Sequence, residues 1–80
     1  MSISESKQKN LVGRRVAEAR KLLGIKQKEL LAKLQLKGVT MGPSTLSLLE
    51  AQKRPASEYE LRALAEILKV DVDWLLGKKE

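Results

Sequence analysis

The sequence predicts an all-α fold, a compact domain of five short helices, and three observations point there. Apolar residues recur at helical spacing in successive segments, and no stretch alternates with period two. Glycine, proline and capping residues fall between those segments, where helices start and stop. The chain has 80 residues, 42% of them hydrophobic, and neither Cys nor His. It has room for one core, held by helix packing and not by disulfides or a Cys/His zinc site.

Residues 1–10 are polar without periodicity and read as a flexible N-terminal arm carrying Lys7 and Lys9. Val12, Val16, Ala19 and Leu23 then form one stripe of a helix over about Leu11 to Leu23. Arg14, Glu18 and Lys21 lie opposite, and Gly24 stands where a left-handed helix end favours glycine. A second helix begins near Gln27, with Leu30, Leu31 and Leu34 inward and Lys28, Glu29 and Lys33 outward. The segment 35–42 breaks the pattern at Gly38 and Gly42 and makes an extended turn between helices two and three. Pro43 suits the first position of a third helix, which carries Leu46, Leu49 and Glu50 and stops before Pro55. Ser57 and Glu60 fit a capping box, followed by a stripe of Leu61, Leu64, Ala65 and Leu68. Asp71 can cap a last helix with Val72, Leu75 and Leu76, ended by Gly77. The domain is thus 11–77, with 78–80 as a C-terminal tail.

The formal net charge is +6 and unevenly placed. Residues 1–37 hold ten Lys/Arg and three Glu, a net of +7, whereas residues 38–80 carry −1. Such polarity suits one surface facing a polyanion and another for packing or partners, and it suits equally a solvated face that keeps a small protein in solution. No apolar run exceeds three residues, so no membrane span is expected. The N-terminal MSISESKQKN has no apolar signal core, so a cytoplasmic location is expected. Without His or Cys, general-base work would fall to Asp71, Asp73 or a Glu, and no spacing clusters two of them. Five helices also leave little volume for a substrate cavity. No enzyme, cofactor or metal is expected.

Two short helices joined by a connection, in a basic segment, suggest a helix-turn-helix. Gly24-Ile25-Lys26-Gln27-Lys28-Glu29-Leu30 resembles the opening of helix two in lambda-repressor-like domains, the Cro/phage-repressor or xenobiotic-response-element family. Ser44-Thr45-Leu46-Ser47-Leu48-Leu49-Glu50 resembles that family's recognition helix. Leu64 to Val70 followed by Trp74-Leu75-Leu76-Gly77 is similar to its tail. The three matches come in the correct order over residues 11–77.

The resemblance implies sequence-specific binding to double-stranded DNA, as a homodimer regulating transcription, with repression by operator occupancy. It places Pro43, Ser44, Thr45, Ser47 and Leu48 on base edges in the major groove. It places Gln27 on a phosphate, with Ala51, Gln52 and Lys53 as a second backbone-contact segment; Lys28 and Arg54 join them by position and charge. Arg20 and Glu50 match an internal ion pair between helices one and three, a structural pair and not a catalytic one. Thr45 could instead serve the helix start or pack its methyl inward. Trp74 reads as core, with a dimer surface as the alternative. Arg14, Arg15 and Lys21 read as solvated.

The chain departs from the family pattern in several places. The connection between Gln27 and Glu50 is longer, Pro43 and Leu48 stand where polar readers are common, and Gly42 and Lys26 replace capping residues. Gln52 stands where glycine is common. The recognition helix therefore carries three short hydroxyls and no bidentate side chain, which leaves shape readout, Lys37 or the inserted turn to compensate. That weak reader favours a rival function, a protein-interaction module such as an antitoxin that neutralises a partner protein, a toxin or another regulator.

Overall fold

The computed structural model describes the backbone of residues 3–78 and the side chains of residues 11–78. The order is α1 (Ile3–Leu22), α2 (Gln27–Leu36), α3 (Pro43–Glu50), α4 (Glu58–Leu68) and α5 (Val72–Leu75), with no strand among the described residues. The all-α, five-helix expectation holds. α1 packs against α3, α4 and α5, while α2 packs against α3 and α4.

α1 begins at Ile3, not near Leu11, so residues 3–10 continue the helix instead of forming an irregular arm. Their Glu, Lys and Gln residues are good helix formers, and an apolar stripe cannot register a helical extension that has none. The side chains of Lys7 and Lys9, and the tail beyond Lys78, lie outside the described residues.

Each helix leaves by the same device: a left-handed residue whose N–H bonds back three residues, followed by one whose N–H bonds back five. After α1 these are Gly24 to Lys21 and Ile25 to Arg20 (3.0 and 3.2 Å). After α2 they are Gly38 to Gln35 and Val39 to Leu34 (both 2.9 Å). α3 uses Gln52 (φ 68°) and α4 uses Lys69 (φ 62°) in the left-handed position, residues with a Cβ where glycine is preferred. α5 ends at Gly77.

The helix starts are equally local. Ser57 and Glu60 close the expected box: Ser57 Oγ accepts from the Glu60 N–H at 3.1 Å, and Glu60 Oε1 accepts from the Ser57 N–H at 3.0 Å. Before α2, Lys26 has no side-chain acceptor to offer. Glu29 still reaches back to the Lys26 N–H at 2.9 Å, which satisfies one donor. Pro43 opens α3 as expected.

The core joins Val12, Val16 and Ala19 of α1 with Leu30 and Leu34 of α2, Leu46 and Leu49 of α3, Leu61, Leu64, Ala65 and Leu68 of α4, and Leu75 of α5. Val39 adds a buried residue from the extended turn and pins it to the core. Leu23, expected on the α1 stripe, is 45% exposed because the helix ends at Leu22 and the chain turns away at Gly24. Gly13 is buried in the middle of α1, directly against the end of α3. A methyl group there would overlap the Leu49 carbonyl oxygen and stand 3.3 Å from the Gln52 nitrogen. Glycine lets the two backbones touch.

Candidate nucleic-acid interface

α3 divides cleanly. Leu46 and Leu49 are fully buried, which anchors the helix by roughly 1.5–3 kcal/mol of apolar burial each. Pro43, Ser44, Ser47, Leu48 and Ala51 are exposed and share the opposite face. Thr45, at the edge, is half-buried and stands apart from the other expected base readers.

The internal pair expected between α1 and α3 is present. Arg20 Nε donates to Glu50 Oε2 at 2.8 Å and Arg20 Nη2 to Glu50 Oε1 at 3.1 Å, with side chains only 12% and 8% exposed. Arg20 Nη1 also donates to the Ile25 carbonyl at 3.0 Å, which holds the α1–α2 connection. Glu50 Oε1 accepts a further hydrogen bond from Gln27 Nε2 at 2.9 Å, and Gln27 Oε1 accepts from Ser47 Oγ at 3.4 Å. One chain of polar contacts therefore sets α3 against both α1 and α2. Gln27, assigned to a phosphate by resemblance, lies within that chain, with one amide hydrogen left over.

The remaining expected contacts are scattered in role. Lys28 and Lys53 are exposed, as is Lys26 beside Gln27. The N–H groups of Ala51, Gln52 and Lys53 bond to carbonyls of α3, so Ala51 presents a methyl surface with no donor. Arg54 is turned toward α4: its Nη1 and Nη2 donate to Glu60 Oε1 and Oε2 at 3.0 and 2.9 Å. That hydrogen bond holds the Glu60 carboxyl below its ordinary range against the opposing effect of burial, helped by the Ser57 N–H, and holds Arg54 above its own. Lys37 pairs with Glu66 of α4 at 3.0 Å, away from the α3 face.

Sequence reasoning missed Gly13 and misplaced Arg15. The Arg15 guanidinium lies 4.7 Å from the centre of the Trp74 ring and donates to the Trp74 carbonyl, so it joins α1 to α5 and is not simply solvated. Trp74 is half-buried against the core. No local signal marks this contact, because its partners lie 59 residues apart.

The described surface carries open depressions. One open depression of about 470 Å³ lies between Val12, Gly13, the 52–56 segment and Leu76, and another of about 450 Å³ lies between the end of α2 and α4. Neither brings two carboxylates together. Among the described residues no cluster suits a metal ion, and no helix is long and apolar enough to cross a membrane.

No curated protein and no solved structure matches the chain. A helix-turn-helix family model matches residues 16–75, a span running from within α1 to the end of α5. The chain belongs to the helix-turn-helix family, of the lambda-repressor-like type, whose members bind DNA.

Proposed function

We propose that this chain represses transcription by occupying an operator as a symmetric dimer, with α3 of each copy in the major groove. One observation carries the reading: the exposed face of α3 bears no charge and is bracketed by cations. Lys26 and Lys28 flank Gln27, whose side chain reaches Ser47 and Glu50, and Lys53 follows the helix exit. Phosphates on either side of a groove would meet these lysines while base edges meet Pro43, Ser44, Ser47 and Leu48. The second amide hydrogen of Gln27 and the Gln52 side chain supply further phosphate donors. Thr45 is half-buried at the edge of the α3 face, and Arg54 orders the segment after α3 through Glu60.

The test is a gel shift on random and genome-derived duplexes across a salt series. Wild type is run beside Gln27→Ala and the Ser44→Ala/Ser47→Ala double variant. The expected result is an inverted repeat with half-sites about one helical turn apart. The serine variant should lose part of its selectivity while keeping general affinity, and Gln27→Ala should lose affinity for all sequences. Absence of binding at low salt would refute the reading.

A second reading has its own support. Leu36 is 88% exposed and Tyr59 61% exposed around the depression at the end of α2, beside Lys37, Arg62 and Glu66, a mixed apolar and charged surface suited to a protein partner. An antitoxin would use such a surface to hold a toxin while keeping its DNA face. Stoichiometric co-purification of a partner, lost in Leu36→Asp, would favour that version.

A further inference from the structure

We propose that Leu48 reads thymine methyl groups, so that the preferred half-site is set by the placement of T·A pairs and not by hydrogen-bonded guanines or adenines. This rests on the DNA-binding reading above and adds the chemistry of the base it selects. The exposed strip of α3 contains no Arg, Lys, Asn, Gln, Asp or Glu. The paired donors and acceptors that single out G, A or C are therefore missing from the helix face itself. Ser47 directs its only proton at Gln27 Oε1, leaving it an acceptor, and Ser44 has one rotatable hydroxyl.

What the strip does offer is Leu48, 47% exposed, one turn beyond Ser44 and adjacent to Ser47. Major-groove base edges carry a single apolar group, the C5-methyl of thymine. A branched side chain standing between short hydroxyls is the shape that packs on it. The bracketing charges of Lys26, Lys28 and Lys53 argue for a polyanion over this face and against an apolar protein surface. Burying one methyl corresponds to about fourfold in affinity, and two copies of Leu48 in a symmetric dimer to about sixteenfold.

The experiment selects the best duplex from a random pool and resynthesises it with deoxyuridine replacing thymine one position at a time. Uracil pairs identically and lacks only the methyl. Wild type should lose about fourfold at one or two positions in each half-site, and Leu48→Ala should bind the thymine and uracil duplexes equally. The variant isolates contact from duplex shape, since a shape effect of the methyl would persist without Leu48. Equal wild-type affinity for thymine and uracil at every position would overturn the proposal while leaving DNA binding intact, as would a thymine preference that survives Leu48→Ala. Failure to select any duplex, with no binding at low salt, would overturn the DNA reading and this proposal together.

Discussion

Glu60 does two jobs with one carboxylate. It closes the start of α4 through the Ser57 N–H and holds Arg54 in a two-pronged ion pair. The two jobs separate by substitution, because glutamine also closes a capping box but carries no charge. Glu60→Gln should lower stability by about 0.5–1 kcal/mol at pH 7. A carboxyl whose folded pKa is depressed contributes stability that is fully present above its unfolded value, near 4.3, and lost as pH falls through the folded value. The gap between wild type and Glu60→Gln should therefore narrow as pH falls below the unfolded value. Urea denaturation at pH 7 and pH 3 checks this; a gap of the same size at both would mean that the ion pair contributes nothing. Arg20 and Glu50 form the other pair at this scale. Nearly buried and shared with Gln27, they tie three helices at one point.

At the scale of elements, α1 and α3 lie backbone to backbone at Gly13. Replacing a mid-helix glycine by alanine would gain about 1 kcal/mol in an isolated helix. Here Gly13→Ala should instead lose about 2–3 kcal/mol, because the methyl must push Leu49 away. Gln52→Gly, at the exit of the same α3, should gain about 0.5–1 kcal/mol by removing a Cβ from left-handed backbone. Chemical denaturation of the two variants reads both signs, and a stabilised Gly13→Ala would show that the helices can part freely. These positions also mark where sequence reading succeeds and stops. Gly24, Pro43, the Ser57–Glu60 box and Gly77 announce helix ends because capping is a matter of a few adjacent residues. The exposed strip of α3 was legible for the same reason, since Leu46 and Leu49 fix its opposite face. The close approach at Gly13, the Arg15–Trp74 contact, the turning of Arg54 toward α4 and the capture of Gln27 by Glu50 were not. Each depends on where a distant or separately packed element arrives, and a single glycine in a helical pattern reads only as a weak point. The start of α1 at Ile3 escaped because a polar helix has no stripe to count.

For the whole molecule, a formal net charge of +6 favours a polyanion, and the number of phosphates neutralised sets how binding responds to salt. Each phosphate neutralised contributes about 0.9 to the slope of log affinity against log salt. Lys53→Gln should flatten that slope by about 0.9 and weaken all duplexes alike, whereas Leu48→Ala should leave the slope unchanged. Binding titrations at several salt concentrations separate the two, and an unchanged slope in Lys53→Gln would remove Lys53 from the phosphate contacts. The glycine contact between α1 and α3 also has a mechanical meaning. α3 rests on the bare backbone of α1 at Leu49 and is pinned at the same end by Arg20 and Glu50, while buried Leu46 and the Ser47–Gln27 contact hold it nearer its start. On the proposed reading, a helix held at these points would leave misfit to bending or twisting of the duplex, and sequences that deform easily would gain an advantage at base pairs no side chain reaches.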